Sequence, residues 1–191
     1  MTVRVTLYSD FNCPFCYALH ERLDRLQCWD HVQWKGVQHA PFLSVPMTRW
    51  SGGDLSELRD EVAFVQRLAP EIVITVPSGK PNTKLAIAVV AGVMATYPEQ
   101  ARRLIQSLYR ALWRDGLDLS SSAVIEGLTD RIGFPAQQLL RDAVGMTRLL
   151  EAWENDWRAN DHSSVPLLER NDRAILVGLT KEEDLRRFMK E

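Results

Sequence analysis

The chain has 191 residues, of which 46% are hydrophobic and 25% charged, with a formal net charge of −2. That size suits one large domain, or a core with a substantial insertion, able to bury a full core without disulfide staples. The near-neutral balance offers no nucleic-acid surface, and the densest basic pairs, Arg102-Arg103 and Arg186-Arg187, read as solvated helix faces.

Val3 to Tyr8 reads as a strand. No basic, apolar leader precedes it, so the expected location is cytoplasmic. Cys16, Leu19, Leu23 and Leu26 then recur on one helical stripe. Val32 to Gln38 reads as a second strand, ended by Ala40-Pro41. Two strands joined through a helix imply a parallel pair. From about Asp54 to His162 the periodicity is helical, with Asp54-Leu55-Ser56-Glu57 as a helix start. Ile72 to Val76 reads as a short extended piece before Pro77. Leu85 to Ala95 is apolar on all sides and therefore buried. It has only about half of the ~20 residues that a membrane span needs.

Leu104, Ile105, Leu108 and Leu112 mark an amphipathic helix. Val124, Ile125, Leu128 and Ile132 mark a shorter one after Ser120-Ser121-Ser122. Pro135 opens a long helix towards Asp161, in which Gly145 is a weak point. On it Trp153 and Trp157 share a face, which reads as core in preference to the lining of a groove. Leu167-Leu168-Glu169 and Ala174 to Val177 flank Asn171-Asp172, a hairpin signal. Thr180-Lys181-Glu182-Glu183 has the capping-box pattern, and Leu185, Phe188 and Met189 face inward from a closing helix. The order βαβ, many helices, ββα is that of an α/β thioredoxin fold with a large all-helical insertion. Residues 1–48 and 161–191 form the expected core and 49–160 the insertion.

Three cysteines, Cys13, Cys16 and Cys28, are too few for a disulfide framework. The segment Ser9-Asp10-Phe11-Asn12-Cys13-Pro14-Phe15-Cys16-Tyr17 places a C-x-x-C where the first strand hands over to the first helix. A helix N-terminus carries partial positive charge and favours thiolate over thiol. Cys13 is then the nucleophile. Cys16, on the apolar stripe, is the more buried resolving thiol that closes a disulfide and releases the partner. Pro14 suits the first helical turn, where its missing N–H costs little. The competing reading is half of a zinc site completed by His20, His31 or Cys28, against which stands the lack of a second tight Cys/His pair; no metal is expected. Cys28, beside Trp29, reads as a small buried hydrophobe. Asp10 reads as a helix-start cap as readily as an acid, so no proton acceptor for Cys16 stands out.

The stretch Tyr8-Ser9-Asp10-Phe11-x-Cys13-Pro14-x-Cys16-Tyr17 resembles the DsbA-like oxidoreductases, in the branch that includes 2-hydroxychromene-2-carboxylate isomerases and kappa-class glutathione transferases. Pro81-Asn82-Thr83-Lys84-Leu85-Ala86 resembles that branch's helix start after its insertion loop, and Ser164-Val165-Pro166 resembles the family's Val-Pro turn. The resemblance implies that the Val165–Pro166 bond is cis and faces Cys13, and that Pro14, Phe15, Val165 and Pro166 contact substrate. Ser164 stands where the family usually has Gly, and Leu167-Leu168 where it has Thr-Phe. The isomerases and transferases typically carry Ser where this chain has Cys13, which favours redox chemistry.

The expected function is thiol–disulfide exchange on a protein or small-molecule disulfide or thiol. It needs no cofactor, and involves no nucleic acid or membrane. The alternatives are a glutathione-dependent transferase or isomerase, with glutathione as co-substrate, and a non-enzymatic redox-sensing module.

Overall fold

The computed structural model describes residues 4–134, 143–159 and 162–190. A four-stranded sheet runs in the order β2-β1-β3-β4. β1 (Val5–Ser9) pairs in parallel with β2 (Val32–Gly36) and antiparallel with β3 (Leu167–Arg170), which in turn pairs antiparallel with β4 (Ile175–Val177). α1 (Pro14–Arg25) joins β1 to β2. α2 (Gly52–Leu68), α3 (Lys84–Thr96), α4 (Pro98–Trp113), α5 (Ser122–Arg131) and α6 (Ala143–Ala159) then precede β3, and α7 (Glu182–Lys190) closes the described chain. This is a thioredoxin-like sheet with the expected helical insertion.

Alternation in β1 divides its side chains between the two faces. Val5 and Leu7 enter the main core with Leu19 and Leu23 of α1, and Tyr8 enters a smaller cluster with Val37, Trp157 and Leu167. Leu7 lies opposite Leu168 across the β1–β3 ladder, and both are fully buried. Gly36 ends β2, where a Cβ would meet Ile87 Cγ2 and the Trp34 ring at 2.5 Å, so only glycine lets α3 lie there. α3 is apolar almost all round and buries Ala86, Ile87, Val89, Val90, Ala91 and Val93. α4 buries Leu104, Ile105, Leu108, Leu112 and Trp113 against its neighbours α1 and α3.

Several expected boundaries move. The second strand stops at Gly36 rather than Gln38, and Ile72 to Val76 forms no strand. Single hydrogen bonds hold that segment instead, with the Tyr17 hydroxyl donating to the Val73 carbonyl at 2.7 Å and the Thr75 amide to the Trp113 carbonyl at 2.7 Å. The second helix starts at Gly52, ahead of Asp54. The Thr180 capping box does not form. Its hydroxyl has no partner, the Arg22 guanidinium takes its carbonyl at 2.5 Å, and the helix begins at Glu182. Pro135 and Asp161, the expected ends of the long helix, lie outside the described residues, but α6 passes through Gly145 without a break. Trp153 and Trp157 are both buried, Trp153 edge-on to Trp34 at 5.9 Å, in agreement with the core reading.

No helix among the described residues is long and apolar enough to cross a membrane.

Candidate active site

Cys13 is the N-cap of α1 and Pro14 its first residue. The proline supplies a fixed φ and sacrifices only an N–H that the first turn would leave free. Cys13 is 4% exposed and Cys16 0%. Cys16 takes its place on the buried stripe with Leu19 and Leu23, while Cys13 sits at the mouth of the helix end. Both are free thiols.

The two sulfurs have opposite electrostatics. Burial pushes the Cys13 thiol up. The Cys16 thiol and amide, which donate to its sulfur, and the charges of His39 and Lys80 outweigh burial and hold it below the ordinary cysteine value. Burial drives Cys16 well above that value, and the neighbouring Cys13 adds to the shift, against the Ser9 hydroxyl and Asp10 backbone. Of the two sulfurs Cys13 is the one whose thiolate is favoured, as acceptor of the Cys16 thiol.

Across from the pair lies the turn before β3. The Val165–Pro166 peptide bond is cis, and Cys13 Sγ lies 3.6 Å from the Val165 carbonyl oxygen, to which it donates as the neutral thiol. This contact joins two ends of the chain 152 residues apart. Val165 also packs against the Tyr8 and Trp157 cluster. Pro14 is buried, and Phe15 is partly exposed with its ring 6.0 Å from that of Phe64 on α2. A second cis bond, Val45–Pro46, lies in the loop after β2.

Sequence reasoning missed a polar cluster behind Cys13. Asp10 is fully buried but does not cap α1, whose N-cap has no side-chain hydrogen bond. Its Oδ1 accepts from the Thr83 hydroxyl at 2.6 Å and the Asn12 amide at 3.4 Å. Its Oδ2 accepts the His39 amide at 3.0 Å and lies 2.8 Å from His39 Nδ1. Burial disfavours the His39 imidazolium, but the bond to Asp10, that carboxylate's charge and the Cys13 sulfur raise its pKa above the ordinary value, against the opposing charge of Lys80. Lys80 pairs with Glu61 at 2.5 Å. Thr83 and Lys80 flank the Pro81-Asn82 segment. That segment is docked by Asn12, which donates to the Pro81 carbonyl at 3.3 Å, and by Asn82, which donates to the Pro41 and Leu43 carbonyls at 3.1 and 2.9 Å.

The signal for His39 was topological. Ser9 and Gly36 are opposite each other at the ends of the parallel strands, so the segments that leave them begin side by side. In open sheets the carboxyl ends of parallel strands are where sites form.

α4 braces the same turn from inside. The Tyr109 hydroxyl and Ser9 Oγ are 2.6 Å apart, and Trp113 Nε1 donates to the Phe11 carbonyl at 2.8 Å. The residues of the zinc alternative do not converge. His20 is sealed against the Trp29 and Tyr109 rings, and burial depresses it to about 3, so it is neutral. Cys28 donates to the Leu26 carbonyl at 3.4 Å and is only partly buried, packed against the core. Among the described residues no group of three or more His, Cys, Asp or Glu side chains is placed to hold a metal ion.

Alkylation measures the asymmetry of the pair. The thiolate is the reactive form, so iodoacetamide should label Cys13 first. Its rate should reach a plateau at a lower pH than an ordinary thiol, because its pKa is lowered. Cys28 is the most exposed of the three, so labelling governed by access alone would fall there first. Mass mapping that finds Cys16 or Cys28 labelled ahead of Cys13 refutes the assignment.

A family model described as the DSBA-like thioredoxin domain matches residues 4–146. No curated protein matches the chain significantly. Among solved structures, a Nitrosomonas europaea protein assigned as a protein disulfide isomerase superposes with a TM-score of 0.79 at 16% identity, covering 99% of this chain and 96% of that one. A 2-hydroxychromene-2-carboxylate isomerase gives 0.74 at 16% identity, with 97% and 93% covered. The cytosolic disulfide reductase DsbM from Pseudomonas aeruginosa, solved with GSH, gives 0.71 at 14% identity, with 98% and 97% covered. At these identities the likeness is one of fold.

Proposed function

The chain belongs to the DSBA-like thioredoxin domain family, and from that premise we propose that it is a thiol–disulfide oxidoreductase. The Cys13 thiolate attacks a disulfide and forms a mixed disulfide. Cys16 then attacks the Cys13 sulfur, closes the Cys13–Cys16 disulfide and releases the bound partner as a thiol. The observation that carries this reading is the asymmetry within one C-x-x-C: a sulfur at the N-cap of α1, 4% exposed and with its pKa lowered, beside a fully buried one with its pKa raised. The family also contains isomerases. A cysteine at position 13, with a second thiol bonded to it, supports exchange chemistry in preference to isomerisation.

The substrate is a protein or small-molecule disulfide or thiol. It would lie against Pro14 and Phe15, which follow Cys13 on α1, and against Val165 and Pro166, in the turn whose Val165 carbonyl is 3.6 Å from Cys13 Sγ. Glutathione is the natural small thiol partner, and one structural neighbour was solved with GSH. The two sulfurs contain everything the exchange needs, so no metal or organic cofactor enters. The proposed location is the cytoplasm, where thiols are kept reduced and a dithiol can act as a reductant.

Cys16→Ser tests the order of events. Without the resolving thiol, the mixed disulfide at Cys13 has no internal exit. Incubation with a disulfide substrate should therefore accumulate a covalent adduct at Cys13, visible by intact mass and removed by dithiothreitol. Wild-type protein should accumulate almost none. A Cys16→Ser protein that turns over like wild type, or an adduct at Cys28, contradicts the proposal.

A further inference from the structure

We propose that His39 is the general acid of the exchange reaction, with Asp10 as its positioning residue; this rests on the dithiol reading above. One carboxylate oxygen of Asp10 holds His39 at two points, by the backbone amide at 3.0 Å and by ring Nδ1 at 2.8 Å. The other oxygen is held by Thr83 and Asn12, so the buried carboxylate is fixed from both sides. A ring whose Nδ1–H is committed to a carboxylate has Nε2 left to give and take protons. The His39 side chain is 30% exposed, and among the described residues no hydrogen bond occupies Nε2. The Val37 amide donates to the Ser9 carbonyl at 3.0 Å and extends the parallel pairing of β1 with β2, so the segment that carries His39 leaves the sheet beside the segment that carries Asp10 and Cys13.

The charges that act on the imidazole come from three segments. Asp10 and Cys13 favour its protonated form, and Lys80, itself paired with Glu61, opposes it. Asp10 and Cys13 prevail over burial and Lys80, so the imidazolium is favoured beside a sulfur whose thiolate is likewise favoured.

In the first step the Cys13 thiolate attacks a disulfide R–S–S–R′. The Cys13–S–S–R bond forms, the S–S bond of the substrate breaks, and its electron pair leaves on R′–S⁻. The Nε2 proton passes to that sulfur, giving R′–SH and neutral His39. When Cys16 attacks the Cys13 sulfur, the proton it loses restores the imidazolium, and R–S⁻ takes it in turn. One disulfide is reduced to two thiols while the dithiol is oxidised to a disulfide.

Leaving-group dependence separates this role from a structural one. A nitrobenzoate aryl thiolate departs without needing a proton, whereas an alkyl thiolate is basic and benefits from one. General acid catalysis is worth at least about 10²-fold. His39→Gln should therefore lose about 10²-fold in rate with bis(hydroxyethyl) disulfide, and only a few-fold with dithiobis(nitrobenzoate). Added imidazole should restore His39→Ala towards the alkyl disulfide alone. Asp10→Asn should reproduce the alkyl-selective loss in weaker form. Equal losses on both disulfides, or no loss on either, overturn the inference. Failure of the wild-type protein to react with either disulfide instead overturns the dithiol reading beneath it.

Discussion

Cys13→Ser should reduce disulfide exchange to the uncatalysed background, a loss on the order of 10³-fold or more by comparison with other covalent nucleophiles. A serine hydroxyl is not ionised at neutral pH and cannot enter an S–S bond, so neither attack nor mixed disulfide remains. The substitution is mild for the fold. Serine is nearly isosteric, and its hydroxyl can donate to the Val165 carbonyl, which accepts the neutral Cys13 thiol at 3.6 Å. Leaving that carbonyl satisfied avoids the cost of an unpaired buried acceptor. Unfolding midpoints should accordingly stay close to wild type while activity disappears. Turnover by Cys13→Ser near the wild-type rate would place the chemistry elsewhere.

Trp113→Ala should have the largest effect on stability. Trp113 is fully buried at the end of α4 and donates its indole N–H to the Phe11 carbonyl at 2.8 Å. Truncation removes a large buried ring, leaves a cavity and unpairs a carbonyl in the turn that leads into Cys13. Trp→Ala at such sites costs about 3–5 kcal/mol, a large share of the 5–15 kcal/mol typical of a domain. Urea unfolding should show a lower midpoint with an unchanged slope. Trp113→Phe separates the two contributions, because it keeps most of the ring and loses only the donor; about 1–3 kcal/mol is expected. A Trp113→Ala protein as stable as wild type would show that α4 does not brace the site.

The helical stripe of Cys16, Leu19 and Leu23 and the alternation of Val5 and Leu7 are local patterns, legible because burial imposes the period of each element. The same applies to α3, whose apolar run has no side left for water. Ile72 to Val76, read as a short extended piece, joins no sheet for the complementary reason. A β-rich composition makes a strand only where a neighbouring strand can pair with it, and here the carbonyls and amides meet Tyr17 and Trp113 instead. Thr180 carried a capping pattern, but Arg22 took its carbonyl.

By itself, the order of these patterns determined a βαβ unit, a run of helices and a ββα ending, and the C-x-x-C at a strand-to-helix junction pointed to Cys13 as the candidate nucleophile. Both follow from interactions within a few residues: side-chain period, proline at the first helical turn, and the helix end beside the first sulfur. Tertiary structure alone decided what surrounds that sulfur. Asp10 meets Thr83 across 73 positions and His39 across 29, and Cys13 meets the Val165 carbonyl across 152. A lone aspartate or histidine has no periodicity to betray it. Its role arises from desolvation and from the partner that the sheet register brings within hydrogen-bonding distance, and neither exists until the strands have paired.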